Sequence, residues 1–195
     1  MNEVVPFADR QFAEQISLAQ GRGAVLTEPN LYTIEAVCLN LRESDEVEIF
    51  NVMQLASKMH LAHHCYQAVM NNGRGRVAWY NGRPTAVIAL TTLWTGVWEI
   101  WMFGTNDFRN VAFDLVRWAR REAREILDHA EGHRIQCDCR VGHPDAHKLL
   151  QAFGARPEGP PMKQFGKDRA DYQRYVWLRD EDWDVLEPHY KRQDK

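Results

Sequence analysis

The sequence is short of the features that announce a function. Of its 195 residues, 24 are Lys or Arg and 27 are Asp or Glu, a formal net charge of −3. No basic excess is present to grip nucleic acid or an anionic membrane in bulk, so neither is an expected partner. No apolar run approaches the roughly 20 residues of a membrane span. The opening MNEVVPFADRQF has no basic stretch followed by an apolar one, so no secretory signal is expected. Repeats and low-complexity tracts are absent. Cysteine is scarce, at Cys38, Cys65, Cys137 and Cys139, and reduced cytosolic thiols are the expectation rather than a disulfide framework.

What the chain does have is a core. It is 45% hydrophobic and 26% charged, as suits one soluble globular domain. Of the seven tryptophans, Trp79, Trp94, Trp98 and Trp101 crowd one stretch. Few Lys or Arg residues interleave with them, which points to buried aromatic packing and away from a base-stacking surface.

Periodicity supplies the elements. Residues 1–32 read as an irregular extension, with one short helix over residues 6–20 before Gly21-Arg22-Gly23. TIEAVCLNL (33–41) reads as a strand. Asp45 followed by Glu48 has the form of a capping box, and Ile49, Val52, Met53 and Ala56 then share one helix face. LAHHCYQAVMNN (61–72) reads as a second helix. RVAWY, the Asn81-Gly82 turn and RPTAVIALTTL form a type I′ hairpin, and Thr95-Gly96 leads to VWEIWMFG, completing an antiparallel meander. Ala112, Leu115, Val116, Ala119, Ala123, Ile126 and Leu127 make one apolar stripe opposite Arg117, Arg120, Arg121 and Arg124, whose charges read as a solvated face. HRIQCDCRV is a strand, PDAHKLLQAFGAR a short helix with Pro144 in its first turn, and DYQRYVWL a last strand. The order β-α-α-β-β-β-α-β-α-β predicts an α/β (α+β) fold. Its mainly antiparallel sheet has six to seven strands with helices on both faces, over residues 33–178, and residues 179–195 form a polar tail.

Two clusters invite a metal reading. Cys137-x-Cys139-x3-His143-x3-His147 offers two thiols and two imidazoles. The CxC pair sits inside a strand, without the turn that wraps a zinc knuckle, so core thiols and cleft histidines are the simpler reading and no metal is expected. His60, His63 and His64 lack a supporting carboxylate or thiol and read as helix-surface residues.

The meander with "VWEIWMFGTNDFRNVAFDLVRWAR", followed by "HRIQCDCRVGHPDAHKLLQAFGARPEG", resembles the GNAT N-acetyltransferase superfamily. "GRVAWYNGRPTAVIALTTLWTGVWEIWMFGT" with "GHPDAHKLLQAFGA" is similar, more narrowly, to the GNAT-like proteins of tailed bacteriophages, some described as acetyltransferases and others as internal virion or assembly proteins. The resemblance implies a strand that splays from its neighbour to admit pantetheine, and a glycine-rich loop whose amides hold the pyrophosphate at a helix start. The matching segment here runs Gly104-Thr105-Asn106-Asp107-Phe108-Arg109-Asn110, with no further glycine before the helix ends. Asp107 is expected to place its carboxylate on the amides the pyrophosphate would need, and Phe108 to add bulk. The tyrosine that serves many members as general acid is matched by Leu150, and an asparagine near that helix start by His143.

These departures favour a scaffold that has lost its coenzyme. It would be a structural or assembly component of a phage particle, located in the virion or host cytoplasm, with virion proteins or further copies of itself as partners. The alternative is an active N-acetyltransferase using acetyl-CoA in a cytoplasm. Glu99 or His143 would be its base, and backbone around Met102, Phe103 and Gly104 would hold the thioester. Asn106 and Arg109 would lie at the pyrophosphate.

Overall fold

The computed structural model describes residues 24–129 and 132–179. The predicted helix over 6–20 and the tail beyond Arg179 lie outside the described residues. Seven strands are present among the described residues: β1 (Val25–Thr27), β2 (Arg74–Tyr80), β3 (Arg83–Trp94), β4 (Gly96–Gly104), β5 (Gly132–Arg140), β6 (Arg156–Pro157) and β7 (Tyr172–Leu178). Five α-helices join them: α1 (Leu31–Leu39), α2 (Glu43–Val52), α3 (Lys58–Met70), α4 (Ala112–Asp128) and α5 (Pro144–Ala152). The strands form one sheet in the order β1-β2-β3-β4-β5-β7-β6. Every neighbouring pair is antiparallel except β4 and β5. The mixed, mostly antiparallel sheet is the one the periodicity predicts.

The hairpin forms as read. Asn81 and Gly82 take φ of 50° and 71°, the left-handed pair that a type I′ turn requires. The meander then alternates faces. Ala86, Ile88 and Leu90 of β3 enter a core with Leu115, Trp118 and Ile126 of α4. Val87, with Val77 and Trp79 of β2, enters a second core with Ile34 and Val37 of α1 and Leu61 of α3. The sheet is thus buried on both faces, one under α4 and the other under α1 and α3.

Three expectations need correction. TIEAVCLNL is a helix, not a strand. Its start is fixed by a reciprocal cap: Thr33 N–H donates to Asn30 Oδ1 at 2.9 Å, and Asn30 N–H donates to Thr33 Oγ1 at 3.1 Å. Thr33, Ile34, Val37 and Cys38 are its buried residues, a helical stripe that β-branched composition disguised. Secondly, Asp45 and Glu48 cap nothing. The residue before α2 is Arg42, no side chain caps the helix, and α2 ends at Val52 before Ala56 is reached. Thirdly, β1 lies in a segment read as irregular, and it adds a short edge strand to β2. The second predicted helix begins earlier than read, at Lys58, where Ser57 Oγ accepts from His60 N–H at 3.2 Å.

Candidate functional site

The parallel pair β4 and β5 is where the sheet opens. Register runs from Gly96 opposite Gly132 to Glu99 opposite Gln136 and stops there. Yet β4 continues to Gly104 and β5 to Arg140. Beyond Glu99, β4 stays paired with β3 on its other edge, through Ala86 opposite Gly104. Successive residues of a strand send their amides to opposite edges. Gly104 N–H and C=O face away from β3, to Asp45 Oδ2 at 2.8 Å and to Arg42 N–H at 3.0 Å. Met102, two residues back, therefore turns its amide to the same open edge, while Phe103 spends its own on β3.

The parted strands frame a cavity of about 410 Å³. Its lining includes Asp45 and Glu48 of α2, Glu99 and Met102 of β4, and Cys137, Asp138 and Cys139 of β5, with His143, Leu150 and Tyr172 closing one end. The two carboxylates of α2 reach one to each strand. Asp45 takes the Gly104 amide and also accepts from Arg42 Nε at 2.7 Å. Glu48 Oε1 accepts from Arg140 N–H at 2.9 Å, and its Oε2 lies 2.5 Å from His143 Nδ1. The helix is anchored for this: Asn51 Nδ2 donates to Asp168 Oδ1 at 2.6 Å, and Tyr172 OH donates to the Glu48 carbonyl at 3.1 Å.

This arrangement perturbs the titratable groups. The hydrogen bond to Glu48 holds the His143 imidazole above its ordinary pKa, against the pull of burial. Burial raises the Asp45 carboxyl although Arg42 opposes it. Glu99 is raised by burial first and then by the charge of Asp138, with Arg174 opposing. Arg174 is committed elsewhere, donating twice to Asp138 at 2.8 Å, and no hydrogen bond or ion pair to the Glu99 carboxylate is found among the described residues. Burial pushes the Cys38 thiol up to about 12 and raises those of Cys65, Cys137 and Cys139 as well. All four cysteines are free and none is an activated nucleophile.

The loop after β4 differs from expectation. A 3-10 turn, Phe108–Asn110, precedes α4, and no side chain caps either segment. Asp107 is exposed; its carboxylate is not on the amides. Phe108 points inward and is buried. A Cβ at Gly104 would stand 2.7 Å from Phe108 Cδ2 and 3.0 Å from the Thr85 carbonyl, so the glycine is required by close packing. Arg42 covers the Phe108 ring at 4.2 Å. Arg109 is 87% exposed and lies 3.5 Å from Asp145.

No protein-family profile matches the chain, and no curated protein matches it by sequence. Solved structures do. A RimL ribosomal L7/L12 alpha-N-protein acetyltransferase in complex with coenzyme A superposes with a TM-score of 0.65 at 12% identity, covering 83% of this chain and 97% of that one. A GNAT-family acetyltransferase from Bacillus anthracis gives 0.62 at 16% identity, with 82% and 97% covered. The spermidine N-acetyltransferase SpeG from Vibrio cholerae, as a point mutant, gives 0.60 at 15%, with 80% and 94% covered. The chain has the GNAT acetyltransferase fold. No link to bacteriophage proteins emerges from these likenesses.

Within the GNAT fold, the sequence-predicted residues divide. Glu99, Met102 and His143 meet in the cavity. Asn106 and Arg109 stand outside it on the exposed loop. The four-residue metal set is not assembled, because His147 spends its nitrogens on Tyr175 OH at 2.8 Å and the Arg140 carbonyl at 3.0 Å. His60, His63 and His64 are exposed on α3, and His64 reaches the cavity rim. Leu150 offers no acid. Sequence reading missed Asp45, Glu48 and Tyr172 as site residues. The one available signal was two carboxylates three apart in a helix, and a cap explains that pattern equally well.

Proposed function

We propose that this GNAT-fold protein is an acetyl-CoA-dependent N-acetyltransferase acting on a cationic amine. The observation that carries the reading is the parting of β4 from β5 beyond Glu99, over a cavity that contains the Glu48–His143 pair. The open edge of β4 offers the Met102 amide to a thioester, and the uncapped first turn of α4 suits a phosphate. Asp45 is paired with Arg42 and Asp138 with Arg174, which leaves Glu48 and Glu99 as the carboxylates of the cavity without an arginine partner, placed to attract an ammonium ion.

Chemistry then falls to His143. Glu48 fixes Nδ1, and no partner for Nε2 is found among the described residues. That nitrogen takes a proton from the bound ammonium, directly or through water, and the neutral amine so formed attacks the thioester carbonyl. The oxyanion that develops is held by the Met102 N–H. The C–S bond breaks, the departing thiolate takes up the remaining proton of the attacking nitrogen, directly or through water, and the imidazolium releases its proton to solvent. Burial raises the Glu99 carboxyl toward the range of a useful base, which makes it the alternative proton acceptor.

One observation favours a second reading. Asp45 already holds the Gly104 amide inside the gap, as a scaffold that had surrendered its coenzyme would allow. Such a scaffold could serve as a virion or assembly component, alone or as a homo-oligomer. Calorimetry with acetyl-CoA and CoA separates the two. Micromolar binding, with thiol release on addition of a polyamine or a lysine-bearing peptide, supports the transferase. No heat with either ligand at millimolar concentration sinks it.

A further inference from the structure

Glu48, Cys139 and His143 come from α2, β5 and the residue preceding α5, and they converge in the cavity. One donor atom of each lies within 4.8 Å of the other two. We propose that these three side chains form a binding site for a divalent transition ion of the zinc class. Oxygen, sulfur and nitrogen donors together suit zinc or cobalt and disfavour magnesium or calcium, which prefer all-oxygen shells. Three protein ligands leave a fourth position, and the cavity supplies room for water or a solute to take it.

The carboxylate is already oriented for the task. Glu48 Oε1 is fixed by the Arg140 N–H, which leaves Oε2 as the ligand oxygen. At present Oε2 and His143 Nδ1 share a proton across 2.5 Å. An ion about 2.0 Å from each, at a tetrahedral angle, needs them roughly 3.3 Å apart. The two atoms must therefore part by just under an ångström, and Cys139 Sγ must close in on them from within 4.8 Å. Binding displaces the shared proton and the Cys139 thiol proton to solvent, so affinity rises with pH. His147 stays outside the shell: its Nε2 lies 4.0 Å from Cys139 Sγ and keeps its bonds to backbone carbonyls. The site is distinct from the CxC-based set that spacing suggested, because Glu48 enters from a helix remote in sequence.

Metal binding draws on the same Glu48–His143 pair as the transferase reading but does not depend on that reading, and it is tested without acyl chemistry. Metal-free protein is titrated with cobalt(II) and followed by absorption. The expected result is one equivalent bound, with a thiolate-to-cobalt charge-transfer band in the near ultraviolet and tetrahedral d–d bands, both displaced by zinc. Cys139→Ser is expected to abolish the charge-transfer band. Glu48→Gln keeps side-chain size and is expected to weaken zinc at least tenfold. The proposal is overturned if no charge-transfer band forms at millimolar cobalt, or if the band persists at full intensity in Cys139→Ser. Should Cys139→Ser fail to fold, wild-type zinc affinity in Glu48→Gln overturns it equally.

Discussion

The two halves of the sheet are built for different ends. From β1 to β4 the strands stay paired along their lengths, with register shifts only at Ala78/Trp79 and Thr92/Trp94, and Val77, Ala78 and the run Ala86–Leu90 are wholly buried. Polar side chains are few there, because each strand satisfies its backbone through its neighbour. Between β4 and β5 register lasts four residue pairs and then fails. Backbone groups released by that failure are answered by carboxylates: Asp45 on Gly104 and Glu48 on Arg140. The first half holds the fold together. The second keeps polar groups inside the protein, around the cavity where the proposed chemistry would take place.

Substitutions at the two places are therefore expected to separate activity from stability. The largest effect belongs to His143→Ala, which should lower kcat/KM by about 10²–10⁴ with acetyl-CoA affinity unchanged, read by steady-state kinetics beside calorimetry. Leu115→Ala, under the paired half, should cost about 2–5 kcal/mol in denaturant unfolding. Its acetyl-CoA affinity should stay at the wild-type value. A large loss of affinity there would mean that the two halves are coupled.

The pH dependence sharpens the contrast. In the proposed role of general base His143 must be neutral, so the ascending limb of kcat/KM should lie above the ordinary histidine value of about 6.5. In Glu48→Gln the limb should fall back toward it. The same shift bears on stability. A folded-state pKa above the unfolded one means that protonation favours the folded chain. This contribution is complete below about pH 6.5 and is lost as pH rises through the raised value. Melting temperatures across that window should show it in the wild type and not in His143→Ala.

Smaller effects follow at the edges of each half. Asn30→Ala removes the α1 cap and should cost about 0.5–2 kcal/mol in urea denaturation, leaving the cleft intact. Arg109→Ala should weaken acetyl-CoA by only a few fold, since the guanidinium is solvated and one of several groups at the loop. An unchanged affinity would remove Arg109 from the phosphate contact.

Most of the fold was legible where local signals are strong. The Asn81-Gly82 hairpin, the α4 stripe and the closing strand stand where periodicity places them. The misreading of residues 33–41 has a physical cause. Thr33, Ile34 and Val37 favour strands by side-chain shape, but the cap at Asn30 and the packing of α1 against α3 and β3 decide for helix. At the site, Glu99 and His143 could be proposed from the resemblance, whereas Asp45 and Glu48 could not. The expected competitor for backbone amides was Asp107; the structure gives a comparable task to Asp45, on a different amide.

Composition, hydrophobic period and turn chemistry alone pointed to a mainly antiparallel sheet covered on both faces, because those signals act between residues close in sequence. Where the strands part, which carboxylates enter the gap, and that Glu48, Cys139 and His143 share one cavity were decided only by tertiary structure. Those contacts join residues some ninety positions apart, and their geometry depends on how α2 docks across β4 and β5.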